Sequence, residues 1–261
     1  MLSDAVCRVA VLSLHTSPST APGRGASGGL NVYVRELSRA LGERGVASDV
    51  LVRVGANRPA RRQPLGEGCT LVPVPAGPDR DLSPSEERDL APALARAVGR
   101  VVAGQGYDVL ASHHWMSGVV AANVAGSLDA PFVHTAHTWA VLKNQTLAPG
   151  AAPEPEWREG LERDVARAAD RILVATLAER DLLVRWYGAG SRCALVVPGV
   201  DVEAFAPGEG PVQQPPTFLV AGRLERLKGV DTALAALAEL RHPTARLQVV
   251  GEDGGERGEQ G

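Results

Sequence analysis

Short, uninterrupted apolar runs recur along the chain with helical stretches between them, and this alternation most narrows what the chain can fold into. The runs fall at 8–14, 49–54, 70–74, 108–111, 131–134, 171–175 and 194–197. Several are continuous rather than alternating, as in strands covered on both faces of a parallel sheet. Between them, Leu30, Val34, Leu37 and Leu41 share one helical face, and Gly45 follows as a stop. Trp157, Leu161, Val165 and Ala168 share another. Strand and helix in regular alternation predict a doubly wound α/β domain.

The rhythm breaks near Pro198. Val212-Gln-Gln-Pro-Pro-Thr217 is polar and proline-rich, which suits a linker. A second α/β unit then begins with a strand over 218–221, a helix carrying Val230, Leu234 and Leu237 on one face, and a strand over 247–250. The residues after Gly251 include no apolar side chain, which predicts disorder from about 252. Two strands and one helix do not make an independent sheet core. The expected organisation is therefore a domain over 1–200, a linker over 201–216 and an incomplete second domain over 217–261, truncated before its sheet is filled.

Composition excludes several classes. With 44% hydrophobic and 22% charged residues the chain reads as globular. A formal net charge of -3 argues against a nucleic-acid or anionic-lipid surface, and 4% aromatics argue against base stacking. Cys7, Cys69 and Cys193 are scattered, with no metal-ligand spacing, and read as three partly buried thiols of a reducing compartment. No bound metal is expected. Neither a secretory signal nor a membrane-length apolar run is visible, so the expected location is cytoplasmic.

The first predicted strand runs into a long loop ending in Gly28-Gly29-Leu-Asn31, where a helix begins. A glycine-rich loop at a helix N-terminus suits a phosphate, because free backbone N–H groups and the helix dipole both face it. Gly28 and Gly29 would let a diphosphate approach closely. Gly23, Gly25 and Gly28 also match the G-x-G-x-x-G spacing of a dinucleotide fold, with Arg53 available for a 2′-phosphate. Against that NADP-type dehydrogenase reading, a long Thr/Ser/Pro stretch separates strand from glycines, and no acidic residue ends the second strand.

Six stretches in order carry a family resemblance. They are His15-Thr-Ser-Pro18 with Gly28-Gly-Leu-Asn-Val-Tyr33, Ser112-His-His-Trp-Met-Ser-Gly118, His134-Thr-Ala-His-Thr138 with Lys143-Asn144, Pro153-Glu-Pro-Glu156 with Arg158, Pro198-Gly-Val-Asp201 with Phe205 and Pro207, and Gly222-Arg223 with Leu227-Lys-Gly229. Together, over about 9–251, they resemble family 4 retaining glycosyltransferases of the GT-B fold, most nearly the inositol-phosphate branch that serves mycothiol biosynthesis.

The resemblance implies two Rossmann-like domains, the first for an acceptor and the second for a nucleotide sugar such as UDP-GlcNAc, with no cofactor needed for chemistry. A homodimer is left open. It implies that Arg223 and Lys228 clamp the donor diphosphate with Gly28 and Gly29, and that His137 lies near the sugar's reacting carbon. It implies acceptor contacts from His15, Asn31, His114, Thr138 and Arg158. A lone histidine is more often a core residue, which is the reading for His134. For Arg158 the alternative is a surface ion pair with Glu154 or Glu162.

The chain departs from the family pattern where specificity is set. Ala26 stands for an Asp, Pro84 for an acceptor-phosphate Lys after Leu82-Ser83, and His114 for a Tyr. Arg80 is nearby in sequence and is the candidate substitute for that cation. The family's later acidic pair is not reached; Glu252 and Glu259 imitate its spacing in the polar tail. A catalytically incomplete binding module is thus the alternative to a complete enzyme.

Overall fold

The computed structural model describes residues 6–21, 27–57, 61–147, 152–208, 215–222, 224 and 228–251. Its backbone contacts divide into two units. The first comprises Met1–Thr20 and Gly29–Pro198, the second Ala21–Gly28 and Gly199–Gly261.

The first unit is an eight-stranded sheet. In chain order its strands are β1 (Arg8–Leu12), β2 (Ala47–Val54), β3 (Gln63–Gly66), β4 (Cys69–Pro75), β5 (Val109–His113), β6 (Phe132–Thr135), β7 (Arg171–Val174) and β8 (Cys193–Leu195). Their order across the sheet is β3-β4-β2-β1-β5-β6-β7-β8. Every pairing is parallel except that of the edge strand β3 with β4. Consecutive residues of β1 are buried because the sheet is covered on both sides. Val9 and Val11 enter one core with Val34, Val50 and Val52, while Ala10 and Leu12 enter the other with Leu94, Trp115 and Phe132.

Six α-helices connect these strands: α1 (Gly29–Gly42), α2 (Pro84–Val102), α3 (Trp115–Ala125), α4 (Ala140–Gln145), α5 (Glu156–Ala168) and α6 (Leu177–Tyr187). In α1 the fully buried positions are Asn31, Val34 and Ser38, whereas Leu37 and Leu41 are half-buried. The expected leucine face is thus turned, because Asn31 is drawn inward by the loop after β1. Helix α2 starts with a capping box: Ser83 Oγ accepts from Glu86 N, and Glu86 accepts from Ser83 N. Pro84 is its first-turn residue, a position where the missing N–H costs nothing. Gly118 lets α3 press onto the sheet; a Cβ there would meet His134 Cε1 at 2.7 Å and Val165 Cγ1 at 2.8 Å.

The second unit pairs β9 (Thr217–Ala221) in parallel with β10 (Arg246–Val250), joined through α7 (Val230–Glu239). No residue of α7 is buried, and Phe218 and Leu219 stand exposed. Gly23, Gly25, Ala26, Arg223, Leu227, Glu252 and Glu259, all singled out from the sequence, lie outside the described residues. Among the described residues no helix is long and apolar enough to cross a membrane. The thiols differ from one another: Cys7 is exposed rather than partly buried, Cys69 is buried and Cys193 is intermediate.

Candidate functional site

Strand β1 is the switch point of the sheet, flanked by β2 and β5, whose connections leave in opposite directions. Ligands of open α/β sheets bind beyond the carboxyl ends of strands at such a point. The chain places His15 just after β1, His113 and His114 at the end of β5, and His137 just after β6.

Short polar contacts fix the loop after β1. Ser13 Oγ donates to Thr16 O at 2.9 Å, and Leu14 N donates to Ser117 Oγ at 3.0 Å. Thr16 Oγ1 donates to Asn31 Oδ1 at 2.7 Å, and Asn31 Nδ2 donates to Ser17 O. Asn31, expected as an acceptor contact, is buried and ties the loop to α1. Among the described residues, no heavy atom lies within 4 Å of where a Cβ would stand at Gly28 or Gly29.

His114 and His137 share a rare feature. Their φ angles are 75° and 63°, a region that residues other than glycine seldom enter. Such conformations persist only where surroundings hold them, and they cluster at functional sites. His114 N donates to Thr135 O, and His114 O accepts from Gly118 N. The His137 ring lies with Nε2 3.0 Å from His113 Nδ1 and meets the Tyr33 ring edge-on at 5.0 Å. Burial lowers the His137 pKa to about 4 and that of His113 well below the ordinary value, so both rings are neutral near pH 7. Neutral imidazoles each offer one donor and one acceptor, suited to sugar hydroxyls.

His134 is the core residue expected: fully buried, with Nδ1 2.7 Å from Ser112 Oγ. Thr138 is exposed. Arg158 corrects the surface-pair alternative. It is buried, with Nη1 2.7 Å from Glu154 Oε2 and Nε 2.9 Å from Glu162 Oε1. Its Nη2 is buried without a hydrogen-bond partner. Glu162 also accepts from Ala140 N at 2.7 Å, and burial raises its pKa despite the guanidinium.

Arg80 is not a free replacement for the cation missing at Pro84, because it pairs with Glu86 through both terminal nitrogens. That contact helps lower the Glu86 pKa to about 2. Arg53 donates to Pro78 O at 2.7 Å and Arg80 O at 2.6 Å, so it clamps a loop. The dehydrogenase alternative thereby loses its 2′-phosphate ligand. In the second unit, Lys228 is exposed beside Gly222, and Gly229, with φ 64°, caps α7.

Glu87 is part of this region but was not singled out from the sequence, while Tyr33 and His113 stood in the motifs without an assigned role. Glu87 Oε1 lies 2.5 Å from His15 Nδ1, although 72 residues separate them. Its signal was only a charge in the first turn of an amphipathic helix, which ordinarily marks a solvated face.

A doubly wound α/β unit with a polar cluster at its switch point is followed by a second unit with a two-stranded parallel sheet. The family model for Glycosyltransferase Family 4 matches residues 27–204, and the chain belongs to that family. The D-inositol 3-phosphate glycosyltransferase of Xylanimonas cellulosilytica is 38% identical over 262 residues, covering 94% of this chain and 63% of the relative. That of Geodermatophilus obscurus is 41% identical over 245 residues, covering 89% and 54%. The chain therefore spans about 60% of the length of such curated relatives. Among solved structures, sucrose-phosphate synthase from Thermosynechococcus elongatus superposes with a TM-score of 0.82 at 28% identity, covering 94% of this chain and 62% of that one. Anabaena Alr3699/HepE, solved with UDP and glucose, gives a TM-score of 0.60 at 13% identity over 93% and 60%, a likeness of fold alone. The fold class is GT-B.

Proposed function

We propose that the protein is a retaining glycosyltransferase that moves a hexosyl group, N-acetylglucosamine by the family resemblance, from a UDP-sugar to a hydroxyl of a cyclitol or sugar-phosphate acceptor. The observation that carries the reading is the neutral His113–His137 pair near the sheet's switch point, with His137 held at φ 63°, in a chain of this family. In retention the acceptor oxygen bonds to the anomeric carbon on the face from which UDP leaves. The bond from that carbon to the diphosphate oxygen breaks, and the acceptor's proton passes to the departing diphosphate. His137 orients a sugar hydroxyl beside the developing charge. Arg223 and Lys228, with the backbone at Gly28 and Gly29, neutralise the diphosphate. Arg158 offers its buried Nη2 to an acceptor oxygen, and His15, Asn31, His114 and Thr138 supply the other acceptor contacts that the family resemblance implies.

In this reading residues 1–200 hold the acceptor, 201–216 link, and 217–261 supply part of the donor site of a cytoplasmic enzyme. Structures solved with UDP or UDP-glucose share the fold, which supports the donor class. Incubation with a set of UDP-sugars against myo-inositol, inositol phosphates and hexose phosphates, with UDP release as readout, tests it. Release that depends on one donor and one acceptor supports the reading, and no release with any pair sinks it.

A second reading rests on the exposed faces of α7 and β9. The chain would then bind acceptor or nucleotide without turnover. Calorimetric binding of UDP or acceptor in the absence of UDP-sugar turnover selects it, and turnover removes it.

A further inference from the structure

Glu87 enters the acceptor side from α2, and the proposed transfer gives it no task. Its carboxylate is buried, with the side chain 6% exposed, and it faces His15 Nδ1 at 2.5 Å. His114 lies against the other face of this contact, its ring stacked on His15 with centroids 4.1 Å apart. The three residues come from the β1 loop, α2 and the β5–α3 junction. Each offers one ligand atom, and those atoms lie within 4.8 Å of one another.

A second observation points to an occupant. His114 Nδ1 is buried and has no hydrogen-bond partner. Leaving such a nitrogen unmatched costs about 1–3 kcal/mol. The same residue holds φ at 75°, a further cost that the surroundings impose.

We propose that His15, Glu87 and His114 form a binding site for a divalent transition cation of the zinc class. Two imidazoles and one carboxylate are a donor set that suits zinc, and three protein ligands leave a coordination position open. That position is reached from the His15 side, where the side chain is 27% exposed. Bonds of about 2.0–2.2 Å place neighbouring ligand atoms roughly 3.3 Å apart. His15 and Glu87 therefore open by less than about 1 Å on binding, while His114 closes, which side-chain rotation achieves. The nearby Arg158 does not oppose the ion, because Glu154 and Glu162 match its charge.

A bound ion would set an uncompensated positive charge on the acceptor side, where position 84 is proline and Arg80 is already paired. An anionic oxygen of a phosphorylated acceptor would take the open position. That use rests on the glycosyl-transfer reading; the cation site itself does not.

The test is calorimetric titration of the chelator-treated protein with zinc chloride, repeated with cobalt(II) followed by its visible absorption. The expected result is one ion per chain, cobalt bands without a thiolate charge-transfer band, and affinity lowered about tenfold or more in Glu87→Gln and His15→Gln. His15→Gln changes a part-exposed side chain and should fold, and circular dichroism verifies this for both variants. Cys7→Ser should bind as the parent does. No uptake by the parent, uptake unchanged in both ligand variants, or uptake abolished by Cys7→Ser overturns the proposal. Neither donor nor acceptor is present, so this outcome is separate from that of UDP release. A protein that binds the ion but releases no UDP keeps the site and loses the use.

Discussion

His113 Nδ1 and His137 Nε2 lie 3.0 Å apart, so one ring donates to the other and a proton added to the acceptor ring breaks the contact. The pair is built to remain neutral. Burial is the first cause of the lowered pKa in both rings, and the nearby His137 and His134 lower that of His113 further.

Acid should therefore destabilise the fold earlier than carboxylate titration alone would. His113 and His114 fall well below 6.5, His134 to about 3 and His137 to about 4. Unfolded, these rings titrate near 6.5. Between pH 6.5 and 4 the unfolded chain binds more protons, so stability rises with pH across that window and is lost as pH falls. Each ring contributes about 1.4 kcal/mol per pH unit where the unfolded state is fully protonated and the folded one is not. Urea midpoints at pH 7, 6 and 5 should fall steadily, and His134→Asn should reduce the slope by about one proton. A flat profile would contradict this.

His137→Asn should fold, because Asn tolerates positive φ and His137 sits at 63°. It should still lower kcat for UDP release by about 10²-fold or more, if the ring stabilises charge in the transition state. Unchanged kcat in the folded variant would move the chemistry elsewhere.

Arg158→Ala should cost about 3–5 kcal/mol, since it strands Glu162, whose side chain is fully buried, and leaves Glu154 with Lys143 alone. Loss of activity in that variant would therefore report folding first. Chemical denaturation separates the two effects, and a variant of parental stability would refute the buried ion-pair description.

Gly118→Ala should destabilise by about 1–3 kcal/mol, because the added methyl meets His134 and Val165 inside contact distance. Gly126→Ala is the control. That residue caps α3 at φ -64° with open space around it, and alanine there should be neutral or stabilising by up to about 1 kcal/mol. Equal effects in the two variants would contradict the packing argument.

The parallel strands were readable because burial on both faces writes itself as continuous apolar runs, as in β1, β2 and β4. Strand β3, Gln-Pro-Leu-Gly, has no such run, since it is a short edge strand with mostly exposed residues. Helix α4 has six residues, too few for a period. The histidines were legible through the family's order of motifs. Glu87 was not, because a carboxylate in a first helical turn looks the same whether it meets water or His15. A surface ion pair was the alternative for Arg158, yet it is buried, because Glu154 just before α5 and Glu162 one turn along it match its charge.

The anomeric configuration of the product tests the central claim most directly. Proton NMR of the acceptor glycosylated from UDP-N-acetylglucosamine should show an α linkage, the donor's own configuration, with one UDP released per linkage formed. A β linkage, or UDP release without a glycosylated acceptor, would contradict a retaining transfer at this site.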